Sequence, residues 1–367
     1  MNDIEFVETD TEKIKSNVIT VYESLIGRAL AQGDPVRLFL ESIASIIAQQ
    51  RAVINFTGKM NLLAYAKDDY LDHLGLLVGT ERLQATAAKT TLQVTLSEKR
   101  SISTVIPKGK RVTAGDNVFF ATTADLIISA QTLTGTVAAQ CTVTGNIGNG
   151  YGIGELKKLV DPIPFVAAIT NTTITESGSD IEANESYRER IQTAPESFSC
   201  AGPDGAYAHH VKAVSALIGD VSVDSPTPGV VDIVVLLVGG EVPSTELLNE
   251  VKAAVNDKKV RPLTDNVFVY APDGVNFDVD IKYYIDQDNQ TQANAIQMAV
   301  ESSVNDYVSW QSTKLGRDIN PAMLISKMMN AGAKRVEVNS PAHMVLTKKQ
   351  VAIANAPTIS FGGLEDD

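Results

Sequence analysis

Apolar residues between 11 and 77 recur at intervals of three, four and seven: Ile14, Val18, Val21 and Leu25, then Leu40, Ile43, Ile47 and Ile54. That spacing predicts amphipathic helices. Asp34-Pro35 divides the run as an N-cap followed by a proline in the first turn. The second helix, expected from Pro35 to Tyr65, would be about 45 Å long, more than a compact core requires. Val36, Phe39, Ile46, Val53 and Phe56 fall outside the first stripe, so this helix has apolar surface for two neighbours. Either one neighbour lies in another chain, with Leu40, Ile43, Ile47 and Ile54 as the partner-helix interface, or the helix closes an ordinary intrachain hairpin.

Past Gly79-Thr80 the period becomes two. Leu92, Val94 and Leu96 alternate with polar residues, and short Thr- and Val-rich strands follow at 103–106, 112–114, 118–121, 125–129 and 134–143. Short strands between turn residues describe a sandwich or small barrel. Residues 177–191 read as a loop entering a charged helix. Helix 204–216, strands 221–223 and 230–238, helix 244–256 and strand 266–270 then suggest a small α+β layer. The remainder repeats the theme with a strand 275–285, helices 292–310 and 320–330, and strands 335–338 and 351–353. The acidic end, Gly362 to Asp367, reads as frayed. The fold class is therefore multidomain α+β: a helical region at 1–87, a β-rich sandwich or barrel-like domain at 88–180, and two small α+β modules at 181–272 and 273–367.

Composition narrows the functions available. The net charge of -13 and the pI near 4.8 would repel a phosphate backbone, and no basic run offsets them, so no nucleic-acid partner is expected. The longest apolar stretch, Val230 to Val238, is far too short to span a bilayer, and no leader is visible at the N-terminus, so a soluble cytosolic product with no membrane insertion is expected. Cys141 and Cys200 suit neither a disulfide framework nor a zinc cluster.

The stretch G-N-I-G-N-G-Y-G-I-G at 145–154 tests for a phosphate loop. Gly145 and Gly150 have Walker spacing, but Tyr151 and Gly152 stand where Lys and Ser/Thr are needed. Nor does the spacing suit a dinucleotide loop, so tight turns are the expectation. His209 and His210 are adjacent on a helix and diverge by about 100°, unsuited to one metal. Cys200 lies near them in sequence only. Glu182, Glu185 and Glu189 are interleaved with Arg188 and Arg190, the pattern of a solvated helix face. The sole tryptophan, Trp310, ends a helix as a packing anchor. No catalytic, cofactor or metal residue is assigned, and the chain is not expected to be an enzyme.

Seven segments together resemble, in order, the baseplate J family of contractile phage tails and phage-tail-like bacteriocins. They are Y-L-D-H-L-G-L-L-V-G-T-E-R-L-Q-A-T-A-A (70–88), I-P-K-G-K-R-V-T-A-G-D-N-V-F-F-A-T (106–122), T-G-N-I-G-N-G-Y-G-I-G-E-L (144–156), G-S-D-I-E-A-N-E-S-Y-R-E-R-I (178–191), P-D-G-A-Y (203–207), P-G-V-V-D-I-V-V-L (228–236) and R-P-L-T-D-N-V-F-V (261–269). The resemblance implies a structural wedge protein in a ring around the central hub. Paired subunits would bundle their N-terminal helices with a different wedge protein, C-terminal modules would link neighbouring wedges, and the ring would rearrange to trigger sheath contraction. Such a ring needs two arrangements, so hinges are expected at Gly79, at Gly178 in the 177–184 loop and at Gly274. The alternatives are a glycan-binding or adhesin module in the Thr-rich β-domain and a cell-wall hydrolase using Glu182, Glu185 or Cys200.

Overall fold

The protein is described from a computed structural model covering residues 3–198, 203–258 and 260–366. It divides into two compact units.

The first unit joins Met1–Arg82 to Ala183–Gln192. Helix α1 (Thr11–Ile26) is capped by Asp10, whose carboxylate accepts from Glu12 N and Lys13 N, and it stops at Gly27 with φ +69. Helix α2 (Pro35–Met60) starts on Asp34, which accepts from Val36 N, with Pro35 in the first turn. It ends five residues before the expected Tyr65, because residues 61–65 turn sharply with bonds such as Leu62 N to Lys59 O. The two helices meet along a narrow seam of Ile14, Ala44 and Ala48, with Val18 and Ile47 beside it. Two alanines permit close approach but cover only one line of α2.

Helix α3 (Asp68–Leu76) packs against α4 (Asn184–Thr193) around Ala66, Leu71, Tyr187 and Ile191. Burying Tyr187 and Ile191 contributes about 1.5–3 kcal/mol each. The interleaved charges of α4 are not the solvated face expected from sequence. Arg188 donates to the carbonyls of Leu63 and Ala66, both at 2.7 Å, and buried Arg190 donates to Glu81 O at 2.6 Å. Leu63, Ala66 and Glu81 lie between the helices, where no helical bond serves their carbonyls, and the two arginines supply donors.

The second unit holds Leu83–Glu182 and Thr193–Asp367. Its first part is a nearly closed, barrel-like sheet of β1 (Lys89–Leu96), β3 (Arg111–Thr113), β4 (Phe120–Thr122), β6 (Thr134–Cys141), β7 (Lys158–Leu159) and β8 (Val166–Asn171), ordered β7-β3-β4-β6-β1-β8. A separate ribbon of β2 (Thr104–Ile106) and β5 (Leu126–Ile128) contributes Ile106, Leu126 and Ile128 to the same core. Leu92, Val94 and Leu96 alternate inward, as period two dictates. The two ends of the domain are zipped together: Leu83 N donates to a Glu182 carboxylate oxygen, Glu182 N to Leu83 O, and Thr86 faces Ser179.

The central module stacks helices α5 (Asp204–Lys212) and α6 (Thr245–Val255) on β9 (Ile218–Asp224), β10 (Val230–Leu237) and β11 (Asn266–Tyr270). Strand β10 is buried on both faces. Val231, Ile233 and Val235 meet the helices, and Val234 and Leu236 meet Leu315 and Val351 of the next module. The strand expected at 275–285 is two strands, β12 (Asp273–Phe277) and β13 (Asp280–Asp286), because they pair with different partners. Strand β12 runs parallel to β15 (Gln350–Ala354), and β13 lies between β14 (Arg335–Ser340) and β16 (Thr358–Glu365) under α7 (Ala293–Ser312) and α8 (Pro321–Asn330). The acidic end read as frayed is ordered through Glu365. Backbone pairing with β13 and a fork from Arg335 to the Glu365 carboxylate hold it.

Candidate functional site

No described helix is long and apolar enough to cross a membrane, and among the described residues no group of three His, Cys, Asp or Glu side chains could hold a metal. His209 and His210 stand edge to face, ring centroids 5.8 Å apart, and burial lowers the His210 pKa. Cys200 lies outside the described residues. Glu182 is buried and engaged by the Leu83 amide, while Glu185 is exposed and paired with Arg188 at 2.6 Å. The Glu182 contact joins the two ends of the β-rich domain, and the Glu185–Arg188 pair spans one turn of α4.

The glycine stretch is a structural seal. Buried Asn171 organises it: its Oδ1 accepts from Gly154 N and Leu156 N, and its Nδ2 donates to Gly152 O and Thr173 O. Gly145, Gly150 and Gly154 have φ of +104, +88 and +84, the left-handed region that favours glycine. Gly148 is needed for space, since a Cβ there would sit 2.9 Å from Ala88 Cβ and 3.0 Å from Cys141 Sγ. The Tyr151 hydroxyl donates to Asp116 at 2.5 Å, and burial with that bond raises its pKa to about 12. Periodicity and motif spacing gave no sign of Asn171, because its partners are assembled by the barrel.

The surface left open lies on α2. Phe39, Ile46 and Val53, 63%, 53% and 57% exposed, follow one another at seven-residue intervals and so form one line along the helix. Of the residues expected at a partner interface, Leu40 and Ile43 are half-buried, Ile47 packs beside the α1–α2 seam, and Ile54 is exposed. Val21 and Leu25 of α1 are also exposed, and a groove of about 270 Å³ runs between the helices beside Val18, Val21 and Ile47. Part of the remaining surface is covered by the chain itself. Residues 3–10 run beside the C-terminal half of α2: buried Asn55 accepts from Phe6 N and Val7 N and donates to Val7 O, and Lys59 pairs with Asp3.

The three glycines expected at hinges differ in setting. Gly79 has φ +68 with open space around it. Gly178 is clasped by Asn149, which accepts from its N–H and donates to its carbonyl, and a Cβ there would meet Gly145 O at 2.5 Å. Gly274 lies within β12 opposite Val351, where a Cβ would meet Ile353 Cδ1 at 2.6 Å.

Family profiles match the chain in sequence: the Baseplate J-like N-terminal domain at 32–89, the Baseplate J-like barrel domain at 91–178, the central domain at 199–271 and the C-terminal domain at 279–361. Baseplate protein J of Escherichia phage P2 is 31% identical over 198 residues, an alignment spanning 53% of this chain and 65% of that protein, just under two thirds of its length. A chain in the cryo-EM structure of the anti-feeding prophage baseplate, 6-fold symmetrised, aligns over 94% of this chain and 90% of its own, with 13% identity and a TM-score of 0.43.

Proposed function

This chain belongs to the Baseplate J-like family, and from that premise we propose that it is a structural component of a contractile-tail baseplate, working as a wedge protein. In this reading the N-terminal helices bundle with a second copy and with a different wedge protein. The C-terminal modules join neighbouring wedges, other baseplate and sheath proteins attach to the ring, and rearrangement of that ring releases sheath contraction. The protein acts after incorporation in the tail of a phage or phage-like particle, by binding and movement.

The observation that carries the proposal is the uncovered line of Phe39, Ile46 and Val53. A seven-residue apolar repeat is what one helix presents to another, and α1 occupies the Ala44 and Ala48 side of α2 instead. Among the hinge positions, the open Gly79 suits a change of chain direction best; Gly178 and Gly274 would have to break packing first.

The test is co-expression with the other baseplate proteins of the same particle, comparing the parent with a Phe39→Glu/Ile46→Glu variant. Placing carboxylates in a desolvated helix contact costs about 3 kcal/mol or more, a factor of over a hundred in affinity. Both side chains point away from the seam, so the melting temperature should hold while co-purification is lost. Retention of every partner by the variant would sink the proposed bundle.

A further inference from the structure

We propose that the outer face of the β2–β5 ribbon is a second docking surface, taking an apolar patch rimmed by carboxylates on a different protein of the same tail. The ribbon's inner face fills the barrel core, but its outer face is also apolar. Val105 and Ile127 lie directly opposite one another, 53% and 64% exposed. Ile102, Leu133 and Phe165 are also exposed, on segments that the chain around Arg100 gathers at one end of the ribbon. Gln131 N donates to Arg100 O, Leu96 N to Leu133 O and Ser97 N to Phe165 O. A strand pair wet on one side ordinarily carries polar residues there, so this patch is a departure from the pattern that marks interaction surfaces.

Two further observations bear on the same place. Gln131 and Phe165, neither of them glycine, hold left-handed backbone at φ +65 and +67. Such strain persists where surrounding contacts enforce it and gathers at functional surfaces. The Arg100 guanidinium lies 3.9 Å from the Phe165 ring centroid and donates to Thr104 Oγ1, so a cation is stacked at the rim of the patch.

Charge selects the occupant. The chain carries -13 overall, yet this ribbon has Lys99 and Arg100 at one end and Lys108 and Lys110 at the other, against Glu98 and Asp125. The Asp125 carboxylate is already engaged by Lys108 N at 2.7 Å. A second copy fits poorly. Patch on patch would oppose Lys99, Arg100 and Lys108 to themselves, and α2 offers a single carboxylate, Glu41, which is half-buried and already paired with Arg37. A partner with an apolar centre and acidic rim satisfies both halves of the surface.

This inference rests on the baseplate reading, and the experiment separates the two. The full chain is titrated with each other baseplate protein of the particle, purified singly, and in parallel with itself and with phosphatidylglycerol vesicles, at low and high salt. One baseplate protein should bind more tightly at low salt, and both Val105→Asp/Ile127→Asp and Lys99→Glu/Lys108→Glu should weaken it about tenfold or more at unchanged melting temperature. The Phe39→Glu/Ile46→Glu variant should bind that protein as the parent does. If partners bind through α2 but both ribbon variants match the parent, this inference alone is overturned. Ribbon-dependent self-association, or ribbon-dependent binding to vesicles only, also overturns it. If no baseplate protein binds at all, the baseplate reading falls with it.

Discussion

Replacing Asn171 by alanine should open the barrel, and the structure sets the size of the effect. The side chain is 0% exposed and makes four hydrogen bonds. Three of its partners have another: Gly154 N also donates to Asn171 O, Gly152 O also accepts from Glu155 N, and Thr173 O also accepts from Thr90 Oγ1. Only Leu156 N, on a residue with no exposed surface, is left without one. Three net bonds at about 0.5–1.5 kcal/mol each and one stranded buried amide at about 1–3 kcal/mol bracket the loss at about 2.5–7.5 kcal/mol. Asn149→Ala removes only the two bonds to Gly178 from a half-buried site and should cost about 1 kcal/mol. Because the chain divides into two compact units, which need not unfold in one transition, native-state hydrogen exchange at β1 and β8 is the fitting assay. Their slowest amides should exchange at least about fiftyfold faster in Asn171→Ala. Equal effects of the two substitutions, or less than about tenfold for Asn171→Ala, would refute the accounting.

Three other outcomes follow from single contacts. A Cβ added at Gly75 would stand 2.0 Å from the Tyr187 hydroxyl oxygen and 2.5 Å from Thr80 O, so Gly75→Ala should destabilise the helical unit by about 1–3 kcal/mol or more, read as faster exchange in α4. Gly148→Val should lower the barrel's thermal stability by crowding Ala88 and Cys141, while calorimetry finds no ATP or GTP binding in parent or variant; measurable affinity in the parent would reopen the phosphate reading. The Arg111 side chain, then its backbone N–H, hold the Asp161 pKa down at about 2. A depressed carboxylate stabilises the fold above its unfolded pKa, ordinarily about 4, and loses that contribution as pH falls from there through about 2. Arg111→Ala should return the Asp161 titration by NMR toward the ordinary carboxylate range, and an unmoved titration would break the assignment.

The parts of the fold legible from sequence depend on neighbours along the chain. Asp34-Pro35 announces α2, the alternation of Leu92, Val94 and Leu96 announces β1, and Pro321 starts α8. The parts that escaped depend on distant partners. Arg188 and Arg190 look like surface charges until the carbonyls of Leu63, Ala66 and Glu81, more than a hundred residues earlier, come beside them. The break between β12 and β13 is invisible as a pattern because the alternation of Val275, Phe277, Val279, Ile281, Tyr283 and Ile285 runs straight through it; only their different pairing separates them. At the candidate site, the heptad length of α2 was visible, but α1 chooses which stripe it covers. A narrow alanine seam selects that register, leaving Phe39, Ile46 and Val53 outside.

The zipped neck of the barrel domain permits a sharper test of modularity than truncation. Leu83 and Glu182 exchange backbone and side-chain bonds at 3.0 Å, and Thr86 lies opposite Ser179, so the chain leaves and rejoins the same place after one hundred residues, 83–182. Antiparallel neighbours are about 5 Å apart, a gap that a two-residue Asn-Gly turn closes. Replacing residues 84–181 by that turn should leave α4 able to dock. Tyr187 would still donate to Thr80 O, and Arg188 to Leu63 O and Ala66 O, since each of these bonds lies within the helical unit. Exchange protection of α4 in the shortened protein should match the full chain within about tenfold. Free exchange of α4 would show instead that the barrel domain supplies the order of the helical unit, and a hinge at Gly79 would then have no independent body to move.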